Sequence, residues 1–153
     1  MDQAQAVLMT TTHRDVEEFP WVSGGPGLFR RIIHASLEDN LSVTQLRAEP
    51  FWVSGLHLHS GTTMGWTTSG AWSHVPDDYN YKPGTYVFEA VNELHRFRNG
   101  PGITEAIFMT IGPVDYYDDE GKTMIGRDDA AAKLRSYMEG CEAAGVPRPN
   151  VIV

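Results

Sequence analysis

Gly55-Leu56-His57-Leu58-His59-Ser60-Gly61 is the stretch on which the reading of this chain turns. Two histidines alternate with leucines between turn-forming glycines. In an extended strand alternate side chains share a face, so His57 and His59 point the same way. His95 follows 36 residues after His59, in another short run of strand character. Two imidazoles from one strand and a third from a neighbour can converge on a metal ion, and neutral imidazole suits iron, zinc, copper and nickel. Spacing alone reads equally well as two polar residues on a half-exposed strand.

The flanking sequence has the texture of a small β-protein. Strand character is predicted over 28–35, 41–47, 51–59, 62–68, 71–75, 85–89, 94–98 and 103–111. Breakers such as Glu49-Pro50, Ser69-Gly70, Lys82-Pro83-Gly84 and Asn99-Gly100-Pro101-Gly102 separate the runs. Eight or so short strands at this spacing predict a β-barrel or jelly roll. After Asp128 the period changes. Ala130, Ala131, Leu134, Tyr137, Met138, Cys141 and Ala144 fall at helical spacing on one face. Asp128 or Asp129 can cap that helix, and Gly145 and Pro147 end it. The expected fold class is all-β with one C-terminal helix. The expected organisation is an N-terminal arm over 1–20, a barrel over 21–127, a helix over 128–146 packed on the barrel, and a tail over 147–153.

Composition narrows the function classes. The chain has 153 residues, enough for one domain with a proper core. Lys and Arg number 12 against 20 Asp and Glu, a formal charge of −8, so no nucleic-acid partner is expected. No apolar run approaches a membrane span, and no membrane partner is expected. The first residues, through Asp15, do not look like a secretory signal. The single cysteine, Cys141, excludes an internal disulfide and thiolate clusters, and fits a reducing, cytoplasmic compartment.

Two further readings come from strand parity. Glu89 and His95 are symmetric about Asn92. If residues 90–94 form a turn, the Glu89 carboxylate can accept the other ring N–H of His95 and hold its tautomer, a supporting catalytic role. Phe97 shares the face of His95, whereas Arg96 faces away, so Phe97 is expected to line a pocket. His13, His34 and His74 lack partners at suggestive spacing and read as structural or surface residues.

The blocks around these residues resemble the two sequence motifs of the cupin family. Gly55, His57, His59 and Gly70 follow the first; Gly84, His95 and Asn99 follow the second in register, with Ala90 and Asn92 in place of its proline and glycine. The match implies a single cupin-type β-barrel or jelly roll. The usual glutamate of the first motif is Met64 here, and a thioether is a poor ligand for such ions. Met64 in that position is expected to face the site. Within the cupins, His57–Gly61 through Trp66 to Gly70-Ala71-Trp72, and Gly84–Glu89 followed by His95, resemble the acetylacetone-cleaving and 2,4′-dihydroxyacetophenone dioxygenase group.

That resemblance implies a mononuclear centre held by His57, His59 and His95. Iron(II) comes first among the divalent ions, with Zn, Mn, Ni or Cu as alternatives. It implies cleavage of a carbon–carbon bond beside a carbonyl, in a small diketone or hydroxyketone, using O2. Glu89 matches a supporting glutamate, and Met64, Trp66 and Phe97 are the expected pocket lining. Family analogy also suggests a homodimer or homotetramer. The alternatives are another metal-dependent cupin enzyme (an isomerase, lyase or hydrolase) and a non-enzymatic sensor of metal or small molecules.

Overall fold

The structure is a computed structural model that describes residues 11–153. The strands are β1 (Val22–Ser23), β2 (Leu28–Ser36), β3 (Leu41–Ala48), β4 (His57–His59), β5 (Thr63–Ser69), β6 (Trp72–Val75), β7 (Tyr86–Glu89), β8 (Arg96–Asn99), β9 (Thr104–Ile111), β10 (Val114–Tyr117) and β11 (Met124–Asp128). Helix α1 (Ala130–Ala143) follows.

All strand pairs are antiparallel. One layer is a six-stranded sheet in the order β1-β2-β3-β9-β5-β7. The other consists of β11-β10-β4 and the pair β6-β8, joined by single bridges from His57 to His95 and from Val53 to Arg98. Inward side chains of both layers meet in one core, where Ala48 and Val87 from the first pack with Trp72 and Phe97 from the second. The Trp72 and Phe97 rings stack at 4.2 Å. This is the expected all-β jelly roll with one C-terminal helix.

Register determines what the interior contains. Glu89, Thr63, Thr110 and Ser42 lie in one row across β7, β5, β9 and β3. All four are buried, so the barrel carries a polar inner row at this level. Gly65, one step along β5, faces the Phe108 ring so closely that an added Cβ would lie 2.6 Å from it.

Helix α1 covers a second core of Phe19, Val22, Ile32, Ala35, Tyr137 and Cys141. Asp129 caps it, accepting from the Ala132 N–H at 2.7 Å. The Tyr137 hydroxyl donates to the Pro20 carbonyl at 2.8 Å, tying the helix to the segment before β1. Ala131 and Ala144, expected on the inward face, are exposed. The helix is shorter than its apolar pattern, and its inward stripe runs through Lys133 and Leu134 instead. The arm expected over 1–20 lies partly outside the described residues. Its described end carries a short 3-10 turn over Val16–Glu18 and the buried Phe19.

Three strands were not anticipated: the short β1, and β10 and β11. β10 and β11 flank the Asp118–Gly121 turn, and β10 pairs with β4, setting Val114 against His59 and Tyr116 against His57. Of the strand predicted over 51–59, only His57–His59 is regular. No helix among the described residues is long and apolar enough to cross a membrane.

Candidate metal centre

Two stretches of backbone deliver the three histidines of the predicted set. His57 and His59 alternate on β4, held by β10 on one side. His95 is bridged to His57, each backbone N–H donating to the other's carbonyl at 3.0 and 2.9 Å. Asn92 adopts φ 62°, the left-handed conformation an Asx residue tolerates, and its N–H donates to the His59 carbonyl at 2.8 Å. Residues 90–94 are therefore not a hairpin turn. They cross from the sheet of β7 to the sheet of β8.

The three imidazoles converge. Each of His57, His59 and His95 offers a ring nitrogen within 4.8 Å of the others. The Nδ1 of His57 sits 2.8 Å from the Gly55 carbonyl, so Nδ1 carries the proton and Nε2 has its lone pair free. Burial pushes His57 down to about 4, with the His95 and His59 rings adding to the effect against the Gly55 hydrogen bond. The ring is thus neutral at physiological pH, the form that binds metals.

Glu89 occupies the middle of the cluster rather than the back of His95. Its Oε1 accepts from His74 Nε2 at 2.9 Å. Its Oε2 lies 2.6 Å from His59 Nε2 and 3.5 Å from His95 Nε2. Burial pushes the carboxyl up, but the surrounding imidazoles of His59, His74 and His95 outweigh it and hold Glu89 well below the usual carboxylate range. Against the expectation, His95 is its most distant imidazole neighbour. His74, read from sequence as structural or surface, is buried and belongs to the cluster. The clue was available: His74 shares strand parity with the buried Trp72.

The donor set fits a divalent cation. His59 Nδ1 is buried with no hydrogen-bond partner among the described residues, and the buried His95 Nε2 meets Glu89 Oε2 only at 3.5 Å. Such an orphan costs about 1–3 kcal/mol unless something satisfies it. Three imidazoles with a carboxylate at hand supply the lone pairs and the negative charge that a divalent ion requires. His74, Glu89 and His95 form a second, overlapping group with ligand atoms within 4.8 Å.

A cavity of about 150 Å³ adjoins His57 and His59, with His95 behind them on the wall of a second cavity. The walls of the first include His57, His59, Glu89 and Phe97, and Leu46, Trp52 and Phe108 supply apolar surface. That volume lies below the few hundred Å³ usual for drug-sized ligands and admits only a small one. Phe97 lines it, in keeping with its parity. Met64 and Trp66 do not. The buried Thr63 and the inward Gly65 take the inner face of β5, which turns Met64 and Trp66 outward. Trp66 is 42% exposed and packs on Tyr86 at the barrel surface.

Among the cavity residues that escaped the sequence reading are Arg30, Tyr116 and Lys133. Tyr116 lies on the unanticipated β10, its ring 5.5 Å from that of His57. Burial, then the charge of Asp128, pushes its hydroxyl up to about 12, so it remains a hydrogen-bond donor. Lys133 had a legible signal, since it falls at helical spacing between Ala130 and Tyr137.

A small antiparallel barrel with inward histidines from β4 and the start of β8 defines a cupin. Residues 9–115 match the sequence model of the ChrR cupin-like domain, and the chain belongs to that family. An RmlC-like cupin protein from Ralstonia eutropha JMP134 superposes with a TM-score of 0.85 at 19% identity, covering 95% of this chain and 96% of that one. An acetylacetone dioxygenase from Acinetobacter johnsonii gives 0.78 at 16% identity, covering 92% and 99%. The anti-sigma ChrR of Rhodobacter sphaeroides, in its complex with SigE, gives 0.54 at 17% identity, covering 63% and 51%. No curated protein matches this sequence.

Proposed function

We propose that this chain is a metal-dependent dioxygenase that cleaves the carbon–carbon bond beside a carbonyl in a small diketone or hydroxyketone, with O2 as co-substrate and iron(II) as its metal. The observation that carries this reading is the convergence of His57, His59 and His95 beside a small cavity with apolar walls. The likeness to an acetylacetone dioxygenase supports it as a fold-level analogy.

His57, His59 and His95 would hold the ion. When bound, it would supply Lewis acidity and a template for two reactants. The three imidazoles are neutral donors, and the Glu89 carboxylate beside them supplies one negative charge, so an ion there would keep a net positive charge that favours a ketone bound as its enolate. The Tyr116 phenol, protonated and beside His57, is placed to donate to a carbonyl oxygen. Phe97 and Phe108 exclude water, and Glu89 keeps the imidazoles oriented through its contacts with His59 and His74.

The test is oxygen uptake by the iron(II)-loaded protein with acetylacetone and with aryl hydroxyketones. Consumption of O2 in step with ketone loss is expected. Firmly bound metal with no uptake across that panel would overturn the reading. It would favour the sensor alternative, which the ChrR family membership supports, or a non-oxidative cupin enzyme.

A further inference from the structure

The end of the cavity away from the histidines carries charge that the metal centre does not use. Arg30 of β2, Thr44 of β3 and Lys133 of α1 line it. Among the described residues neither Arg30 nor Lys133 has a carboxylate within ion-pair distance. Arg30 Nη2 donates to Ser136 Oγ, but its Nε is buried without a hydrogen-bond partner. Thr44 Oγ1 is buried in the same condition. Lys133 Nζ donates to Ser42 Oγ at 3.0 Å and has further hydrogens to give. Asp128 shares this wall, and its single negative charge does not balance two cations. Burial lowers the Lys133 ammonium to about 8, with Arg30 adding to the effect and Asp128, Asp129 and Glu89 opposing it, so it remains largely protonated at neutral pH.

The strand register sets the distance. Ser42, the partner of Lys133, is three strands from Glu89 along the polar inner row. At about 4.8 Å per strand this is roughly 14 Å along the curved sheet, and less across the cavity. A ligand that spans both ends therefore has its anionic group a few bonds from its reacting carbonyl.

We propose that Arg30, Thr44 and Lys133 form a subsite for a carboxylate, so that the substrate is a keto acid whose anionic end is held under helix α1 while its carbonyl end faces the three histidines. The proposal rests on the dioxygenase reading for the carbonyl end only. The donors converge from two strands and the helix, and a carboxylate can use all three: guanidinium N–H, ammonium and hydroxyl. A cavity of about 150 Å³ leaves little room for a bulkier anion. Lys133 and Arg30 also tether α1 to the barrel through Ser42 and Ser136, so a purely structural role is the competing explanation.

A matched pair of ligands separates the two. 4,6-Dioxoheptanoate and 2,4-heptanedione carry the same diketone and differ in a carboxylate against a methyl group. Calorimetric titration of the zinc-loaded protein, in which no redox chemistry intervenes, is expected to show at least about tenfold tighter binding of the acid. Lys133→Met should abolish that preference by weakening the acid alone, and Lys133→Arg should restore most of it. Equal binding of the pair by the unmodified protein, or an equal loss of both ligands in Lys133→Met, would overturn the subsite. A second arm does not need the diketone. Butanoate is titrated against the metal-free protein and should bind only when Lys133 is present. If neither diketone binds the zinc-loaded protein, the dioxygenase reading fails, and the butanoate arm alone decides the subsite. Butanoate binding that is indifferent to Lys133, or absent, counts against it. Stronger binding of inorganic phosphate than of butanoate would replace the keto acid by a phosphorylated ligand.

Discussion

His74 and Glu89 meet across the barrel, with His74 Nε2 donating to Glu89 Oε1 at 2.9 Å although their strands, β6 and β7, belong to different sheets. On its other side His74 Nδ1 lies 3.2 Å from the Tyr81 hydroxyl, which donates to Asp77 at 3.1 Å. The carboxylate beside the metal-ligand candidates is thus connected to the barrel surface through three further side chains. A second cavity of about 160 Å³ lies along this chain, with Asp77, Tyr81, His74 and Glu89 on its wall.

Removing this support should weaken metal binding without removing the ligands. Glu89→Gln and His74→Ala are each expected to lower metal affinity about 10–100-fold, measured by competition with a chromophoric chelator. The circular dichroism spectrum should stay as in the parent protein. Unchanged affinity in both variants would show that the network does not act on the ion.

His95→Ala should go further. Loss of one imidazole of three is expected to leave the protein without stoichiometric metal after gel filtration, as measured by elemental analysis. One ion per chain retained in this variant would mean that His95 is not a ligand.

Lys133 should cost stability while it is charged. Its folded value, about 8, lies below the ordinary 10.5, so the unfolded chain binds more protons between those two pH values. Stability of the parent protein should therefore rise from pH 8 to pH 10.5, in the part owed to this group. Lys133→Met should be the more stable protein at pH 7, by about 1–3 kcal/mol, and the gap should close as pH approaches 10.5. Urea melts of both proteins at pH 7 and pH 10 check this. A gap independent of pH would show that the ammonium is not the cause.

Gly65→Ala tests the packing of the cavity wall. The new methyl group would stand 2.6 Å from the Phe108 ring, so the ring has to move. A loss of about 1–3 kcal/mol in denaturant unfolding is expected from the overpacking. Weaker binding of 2,4-heptanedione should accompany it, because Phe108 is part of the cavity. Unaltered stability and binding would mean that the wall yields freely.

Legibility in the sequence followed the range of the interaction. His57 and His59 share a face because they are two residues apart on one strand, and that needs no knowledge of the rest. Phe97 was placed in the same way from His95. Asn92 in the left-handed region was foreseeable from the side chain alone. Met64 was placed in another way. Its position was inferred from the spacing of a family motif and not from strand parity, and counting on from His59 by twos reaches Thr63 and Gly65 instead. Thr63 and Gly65 took the inner face, and Met64 and Trp66 were left outside.

What the chain determined locally was therefore the strand texture, the C-terminal helix and the pairing of inward histidines, since residue type and short spacing act over one or two turns or strands. Which side chains meet was decided by the tertiary structure. β10 came to support His57 and His59, Glu89 came to lie between His59 and His74, and Lys133 reached the cavity from a helix more than seventy residues beyond β4. Those meetings depend on the order of strands in the two layers, which is set by burying a whole core at once. The same burial removes water from the groups brought together, and their altered acidity and unsatisfied hydrogen bonds follow from that loss.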